Sequence, residues 1–336
     1  MPSEEAFYRD VMCPLRPVVV SDLFQNQPIR EIRTREQAIE AFGSTQIAVQ
    51  AEYGKDYQQG AANADGKATY ALSLAKYYAF VDSNRDTPLM AIELPTPEPI
   101  RKTYQIPEVC RARPGESLRL VDQCFIGNRG NRAQIHFDKA GLHGFLYQVF
   151  GRKRVTYFPH EASLKLLPFT QIGGYQLHAF SEADRKAFLD FTGGSEVVLE
   201  PGDAYFVPLL SWHAVDYLED SMSISLRFRR PQPVTTLVNT LFPDLFLQGI
   251  AAKLADPARA EDDLKPVLRR IEKALAERHE NGRDLVSHRR NLAREIHREL
   301  YPSFPDSPYF LDLEEHFPPL LPHFLDANDP ERPRYE

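Results

Sequence analysis

Cysteine is scarce in this 336-residue sequence: Cys13, Cys110 and Cys124 are the only three, and they are widely spaced. An odd, dispersed set supplies neither a disulfide framework nor the paired thiolates of a structural zinc site, which points to a reducing, cytoplasmic setting. Long hydrophobic runs are missing too. Nothing approaches the roughly 18 apolar residues of a membrane span, and the opening MPSEEAFYRDVMCPLRP has no basic stretch leading into an apolar one. A soluble protein without membrane association is expected. Charge of one sign never forms a block: Lys plus Arg number 40 against 47 Asp plus Glu, a formal charge of −7. That balance disfavours nucleic acid held by bulk electrostatics. What the chain does have is 43% hydrophobic residues, enough for one large domain or two modest ones, and enough to exclude collagenous or wholly disordered chains.

The first stretch mixes α and β signals. Val18-Val19-Val20, short and β-branched, reads as a buried strand. Thr34-Arg-Glu-Gln37 has capping-box spacing, Ala38, Ile39 and Phe42 supply an apolar stripe and Gly43 a stop, so a helix is expected there. Gln46 to Glu52 alternates as a strand does, and the polar, glycine-bearing residues 54–70 read as a loop.

From about residue 118 the texture changes to closely spaced strands. LRLVDQCFI, AQIHFD, GFLYQVF, KRVTYFP, EVVLE, AYFVP and SMSISLRF are rich in β-branched and aromatic residues, and GNRGN, FGRK and EPGD between them are turn chemistry. Hairpins forming an antiparallel sandwich or barrel are expected. After Arg230 the pattern turns helical: Leu264, Val267, Leu268, Ile271 and Leu275 recur at helical spacing, followed by a proline-rich tail. The expected division is therefore 1–230, a mainly β domain with N-terminal α/β elements, and 231–336, a helical extension suited to homodimerisation.

One constellation carries chemistry. In AQIHFD, His136 and Asp138 stand two apart on an expected strand, so both side chains leave one face and can chelate one ion. His213, beyond AYFVP, is a candidate third ligand. Two imidazoles and a carboxylate that leave positions open suit an Fe(II) that must also bind a cosubstrate and dioxygen. Spacing alone is weak evidence, because ten histidines give about one His-x-Asp/Glu by chance. His297-Arg298-Glu299 is such a case; in a helical stretch its ends point roughly 200° apart.

The surrounding text adds specificity. His136-Phe137-Asp138, Gly151 to Pro159, Pro201-Gly202-Asp203 to Pro208, and Trp212-His213 occur in an order that resembles the JmjC-type, cupin-like (factor-inhibiting-HIF-like) Fe(II)/2-oxoglutarate oxygenases, over residues 14–230. The resemblance implies a double-stranded β-helix with His136, Asp138 and His213 as iron ligands. It also implies that Lys153 binds the distal carboxylate of 2-oxoglutarate. Alternation lets only one face of Arg152-Lys153-Arg154 point inward: an inward Lys153, the favoured reading, puts both arginines outward, and the alternative is a surface lysine. The implied activity is hydroxylation of an amino-acid-like small molecule or a peptide side chain, with Fe(II), 2-oxoglutarate and dioxygen as cofactors.

The sequence departs from that pattern at three points. Gly144 stands at an Asn position after an insert running from Lys139, Ala133 replaces a Thr, and Arg227 replaces a second Asn. On SMSISLRF, Arg227 shares a face with Ser223 and Ser225. It is read either as lining the barrel, where it would hold a carboxylate of 2-oxoglutarate or of the substrate, or as a solvent-facing residue on an edge strand. His143 is read first as an exposed loop residue, with substrate contact or metal ligation as alternatives. Tyr147 is read as core. Two competing classes stay open: a non-catalytic cupin-like scaffold, and a cupin metalloenzyme that does not use 2-oxoglutarate.

Overall fold

The structure, a computed structural model, describes residues 3–50, 69–87, 89–111, 119–138, 141–166, 175 and 177–230. The expected helical extension over 231–336 and the first part of the 54–70 loop lie outside these residues. Among the described residues there are twelve strands: β1 Val18–Val20, β2 Gln46–Gln50, β3 Thr69–Ser73, β4 Ala91–Pro95, β5 Arg119–Gly127, β6 Arg132–His136, β7 His143–Phe150, β8 Lys153–Phe158, β9 Ser195–Leu199, β10 Ala204–Val207, β11 Trp212–Tyr217 and β12 Ser221–Arg229. They form a six-stranded sheet in the order β1-β10-β7-β12-β5-β4, a four-stranded sheet β6-β11-β8-β9, and a two-stranded ribbon β2-β3. A mainly β protein with helices results, consistent with a cupin fold.

The topology corrects the expectation of hairpins. GNRGN joins β5 to β6, FGRK joins β7 to β8 and EPGD joins β9 to β10, and each turn carries the chain from one sheet to the other. The strands that flank these turns pair elsewhere, as in the nine-residue antiparallel register of β12 on β5 and the pairing of β12 with β7 on its other side, while β8 and β9, consecutive but far apart in the chain, pair with each other. The turn residues are needed all the same. Gly151 has φ +68, and a Cβ there would run into the carbonyl oxygen of Asp220, so glycine meets both a backbone and a steric demand.

Alternation sorts the two faces of β12 as its sequence suggests. Met222, Ile224, Leu226 and Phe228 join the main core with Phe145, Tyr147 and Phe206. The N-terminal segment covers that core: Phe7 packs edge-on to Phe206 at 5.1 Å and Phe24 edge-on to Tyr147 at 4.7 Å. Tyr147 is thus a core residue. The other face of the large sheet turns toward the small one, where Leu146 and Val207 pack with Val155, Leu199 and Val215.

The Thr34 helix is present over Arg35–Phe42, with the reciprocal capping-box bonds of Thr34 and Gln37 both made. Val18–Val20 is not a buried strand but the sheet edge, paired only to β10, with Val19 exposed. The 54–70 loop ends two residues early, because Thr69 and Tyr70 already belong to β3. Among the described residues the two longest helices that went unread are these. Leu74–Ser83 is capped by Ser73 and buries Leu74, Tyr77, Tyr78 and Val81. Glu182–Thr192 is capped by Ser181 and closed by Gly193 in the left-handed region; its Phe188 gathers Phe158, Tyr175 and Phe180 at ring distances of 5.9, 4.8 and 5.3 Å.

Candidate metal centre

β6 and β11 are neighbours in the four-stranded sheet, and each contributes one imidazole: His136 is the last residue of β6, His213 the second of β11. Asp138 lies two residues beyond the end of β6, so it is presented by the chain leaving the strand rather than by the strand itself. Its Oδ1 stands 3.9 Å from His136 Nε2. One ligand atom from each of His136, Asp138 and His213 falls within 4.8 Å of the other two. Donors bound to one ion at about 2.1 Å sit roughly 3–3.5 Å apart, so an ion would draw the set in by roughly an ångström at its widest.

The imidazole of His213 is oriented for this role. Its Nδ1 lies 2.9 Å from the carbonyl oxygen of Ser211. A carbonyl can only accept, so Nδ1 carries the proton and Nε2 the lone pair, the arrangement by which outer groups fix a ligating histidine. Sequence reasoning placed His213 beyond a strand; the structure gives it a strand of its own, with buried Trp212 beside it.

Lys153 opens β8 and is 1% exposed, between exposed Arg152 and half-buried Arg154, so the inward orientation holds. Its Nζ rests 4.0 Å from the ring centroid of Tyr217. Burial pushes its pKa down to about 7, and Cys124 is the titratable group that opposes the shift. Among the described residues no carboxylate pairs with it. An ammonium set against a ring face, with no carboxylate beside it among the described residues, is costly to keep charged, and the arrangement fits a cation awaiting an anionic ligand.

Arg227 occupies neither an edge strand nor open solvent, since β12 runs between β7 and β5. It stands opposite Gly144 of β7 and Val121 of β5, its Nη1 is 2.7 Å from Glu93 Oε1, and its guanidinium lies 5.7 Å from the Phe125 ring centroid. The edge-strand reading of Arg227 is thereby corrected, and Glu93 is the carboxylate it faces.

The exposed-loop reading of His143 is also overturned. His143 begins β7, is fully buried, stacks 5.4 Å from Phe206, and accepts the backbone N–H of Leu209 on Nδ1 at 3.2 Å. Burial lowers its pKa to about 3, so it is neutral and keeps that acceptor. Sequence reasoning missed this anchor as well as the Ser211 carbonyl, Tyr217 and Glu93. Only Tyr217 left a signal, because alternation from His213 puts it on the same face of β11.

Comparison with known proteins agrees with the geometry. The chain belongs to the cupin-like domain family, which matches residues 3–246. It is similar to "Lysine-specific demethylase 8" of Danio rerio, 32% identical over 133 residues, or 38% of this chain and 32% of that protein. It is similar to "Lysine-specific demethylase JMJ30" of Arabidopsis thaliana, 24% identical over 239 residues, or 66% of this chain and 52% of that protein. Human "HSPB1-associated protein 1" is 34% identical over 109 residues, 30% of this chain and 22% of that protein. The chain thus spans between about a fifth and about half of the length of these relatives. It is a JmjC-like cupin, distantly related to the JmjC demethylases, and it carries a His-Asp-His triad.

Proposed function

We propose that the protein is an Fe(II)/2-oxoglutarate-dependent oxygenase that hydroxylates an amino-acid-like small molecule or a peptide side chain. The observation that carries this reading is the convergence of His136, Asp138 and His213 in a fold that also buries a lysine to which no carboxylate among the described residues is paired. His136, Asp138 and His213 would hold the iron on one face, and Lys153 would take the distal carboxylate of 2-oxoglutarate. Together iron, 2-oxoglutarate and dioxygen supply the oxidising power: one oxygen atom enters the substrate C–H bond, and the other ends in succinate as carbon dioxide leaves.

The chain's own part is orientation and exclusion of water. The Ser211 carbonyl keeps Nε2 of His213 unprotonated, and Asp138 contributes a charge that neutralises part of the cation. Lys153, buried beside Tyr217, offers its charge where water does not compete. The names of the relatives make an N-methyl group one candidate for the oxidised carbon. Hydroxylation there yields a hemiaminal that loses formaldehyde, so demethylation is the same chemistry with a different leaving group.

Anaerobic addition of Fe(II) and then 2-oxoglutarate tests the reading. A weak visible charge-transfer band should appear, and Asp138→Ala should abolish it. A scaffold protein gives no band. A cupin metalloenzyme of another type binds iron without coupling oxygen uptake to succinate release. A mass-shift screen over amino acids, peptides and methyl-lysine peptides then identifies the substrate by a gain of one oxygen or loss of a methyl group.

A further inference from the structure

The barrel interior holds a second cation that the reading above leaves unused. On β7, Gly144, Leu146 and Gln148 share a face, and on β12 so do Ser223, Ser225 and Arg227. Leu146 packs with residues of the small sheet, and Ser223 Oγ donates to Gln148 Oε1 at 2.7 Å, so this face is the interior. Lys153 follows the turn after Phe150, at one end of β7, while Arg227 pairs with Gly144 at the other. Gly144 and Phe150 are six residue steps apart, about 20 Å along a strand. Val207 also lies opposite Gly144, and the chain runs on from it to His213. Arg227 therefore belongs to the end of the barrel from which the His213 segment leaves.

The counter-ion of Arg227 has an unusual origin. Glu93 adopts φ +52 where the pairing of β4 with β5 slips register. A non-glycine residue in the left-handed region is strained, and such strain concentrates at functional positions. The pair is also lopsided: the Arg227 side chain is 17% exposed and that of Glu93 50%. Glu93 can swing into water at little cost, whereas the guanidinium of Arg227 is largely held out of it and favours an anion beside it. Gly144 leaves room for one methyl group beside the guanidinium stem. A Cβ placed on Gly144 would come no closer than 3.9 Å to Arg227 Cγ and to Val207 Cβ. Gln123, opposite Ser225, donates to the Glu93 carbonyl at 3.1 Å, while its buried Oε1 has no hydrogen-bond partner among the described residues.

We propose that Arg227 is the receptor for a carboxylate of the substrate, and that Glu93 is an internal anion exchanged for it when substrate enters. The inference rests on the oxygenase reading and narrows its substrate class to molecules that present a carboxylate near the oxidised carbon. Arg227 takes the carboxylate through its fork of N–H groups, the Gln123 oxygen is placed to accept a donor of the same ligand, and Lys153 remains with 2-oxoglutarate at the opposite end.

Ligand-observed NMR on the full chain with Zn(II) and 2-oxoglutarate tests this, using N-acetylglycine and its carboxamide as probes. Wild type should bind N-acetylglycine weakly and the carboxamide not at all. Glu93→Gln should tighten N-acetylglycine about fivefold by removing the competitor, Arg227→Lys should keep weakened binding, and Arg227→Gln should abolish it. In the same samples 2-oxoglutarate affinity should stay within about twofold in Arg227→Gln. Equal N-acetylglycine binding in wild type and Arg227→Gln, or no gain in Glu93→Gln, overturns the proposal. So does loss of 2-oxoglutarate binding in Arg227→Gln, which would give the cation to the cosubstrate. Failure of wild type to bind 2-oxoglutarate at all strikes the oxygenase reading instead, and the N-acetylglycine response is read independently of it.

Discussion

Nδ1 of His143 accepts the backbone N–H of Leu209 at 3.2 Å, which ties the first residue of β7 to the segment that delivers His213. Leu210, next in the chain, has φ +54, and the carbonyl of Ser211 accepts a hydrogen bond from Nδ1–H of His213. A buried imidazole, a strained turn and a ligand's tautomer thus follow one another within a few residues. His143→Phe keeps the ring stacking but takes this acceptor from the buried N–H of Leu209, at a cost of about 1–3 kcal/mol. Divalent-metal affinity, measured by competition with a chelator, should fall about 10- to 100-fold. His143→Gln, which restores an acceptor, should recover part of it.

Lys153→Met should separate stability from binding. Replacing a buried ammonium with an apolar chain of similar length should raise thermal stability by about 1–2 kcal/mol, while 2-oxoglutarate affinity falls at least about tenfold. Calorimetric melting and anaerobic titration of the same variant check the two halves. A drop in stability would mean that the ammonium is better satisfied than its surroundings indicate.

The low pKa of Lys153 also sets a pH dependence. Burial holds it at about 7 against 10.5 for a free lysine, so between those values the unfolded chain binds a proton that the folded one does not, and this residue's contribution to stability rises with pH. A bound dicarboxylate favours the charged form and lifts the pKa. Binding of 2-oxoglutarate at pH 8 should therefore take up a proton, visible as a dependence of calorimetric heat on buffer ionisation enthalpy, and affinity should weaken as pH rises above about 7. Lys153→Met should remove both effects.

Gly151→Ala adds a Cβ at φ +68 that meets the Asp220 carbonyl. A loss of more than about 2 kcal/mol in chemical denaturation is expected. Because the turn leads directly into Lys153, 2-oxoglutarate binding should weaken in any variant that still folds.

Part of the candidate metal site and the buried lysine were legible because strand alternation is a local rule: it places His136 on one face, and it puts Arg152 and Arg154 on the face opposite to Lys153, the residue that the family resemblance picked out. Asp138 was found by spacing, although it lies just past the strand. What local rules could not supply was the pairing. Turn residues look alike whether they close a hairpin or cross between sheets, so GNRGN and FGRK suggested neighbours that the fold keeps apart. His143 was misread because Gly141-Leu142-His143-Gly144 has loop composition, while its burial depends on Phe206 and Phe228 from other strands. Glu93 was invisible because its partner lies 134 residues away. The helix Leu74–Ser83 was recoverable, with Ser73 as cap and Leu74, Tyr77, Tyr78 and Val81 at helical spacing.

The thiols complete the chemistry by abstaining from it. Cys110 and Cys124 are buried and unpaired, and burial pushes both upward, Cys124 to about 12. A sulfur that keeps its hydrogen is a poor ligand and a sluggish reductant. A protein built to place a redox-active cation near dioxygen would thereby keep its own sulfur from scavenging the ion or being consumed by the oxidant.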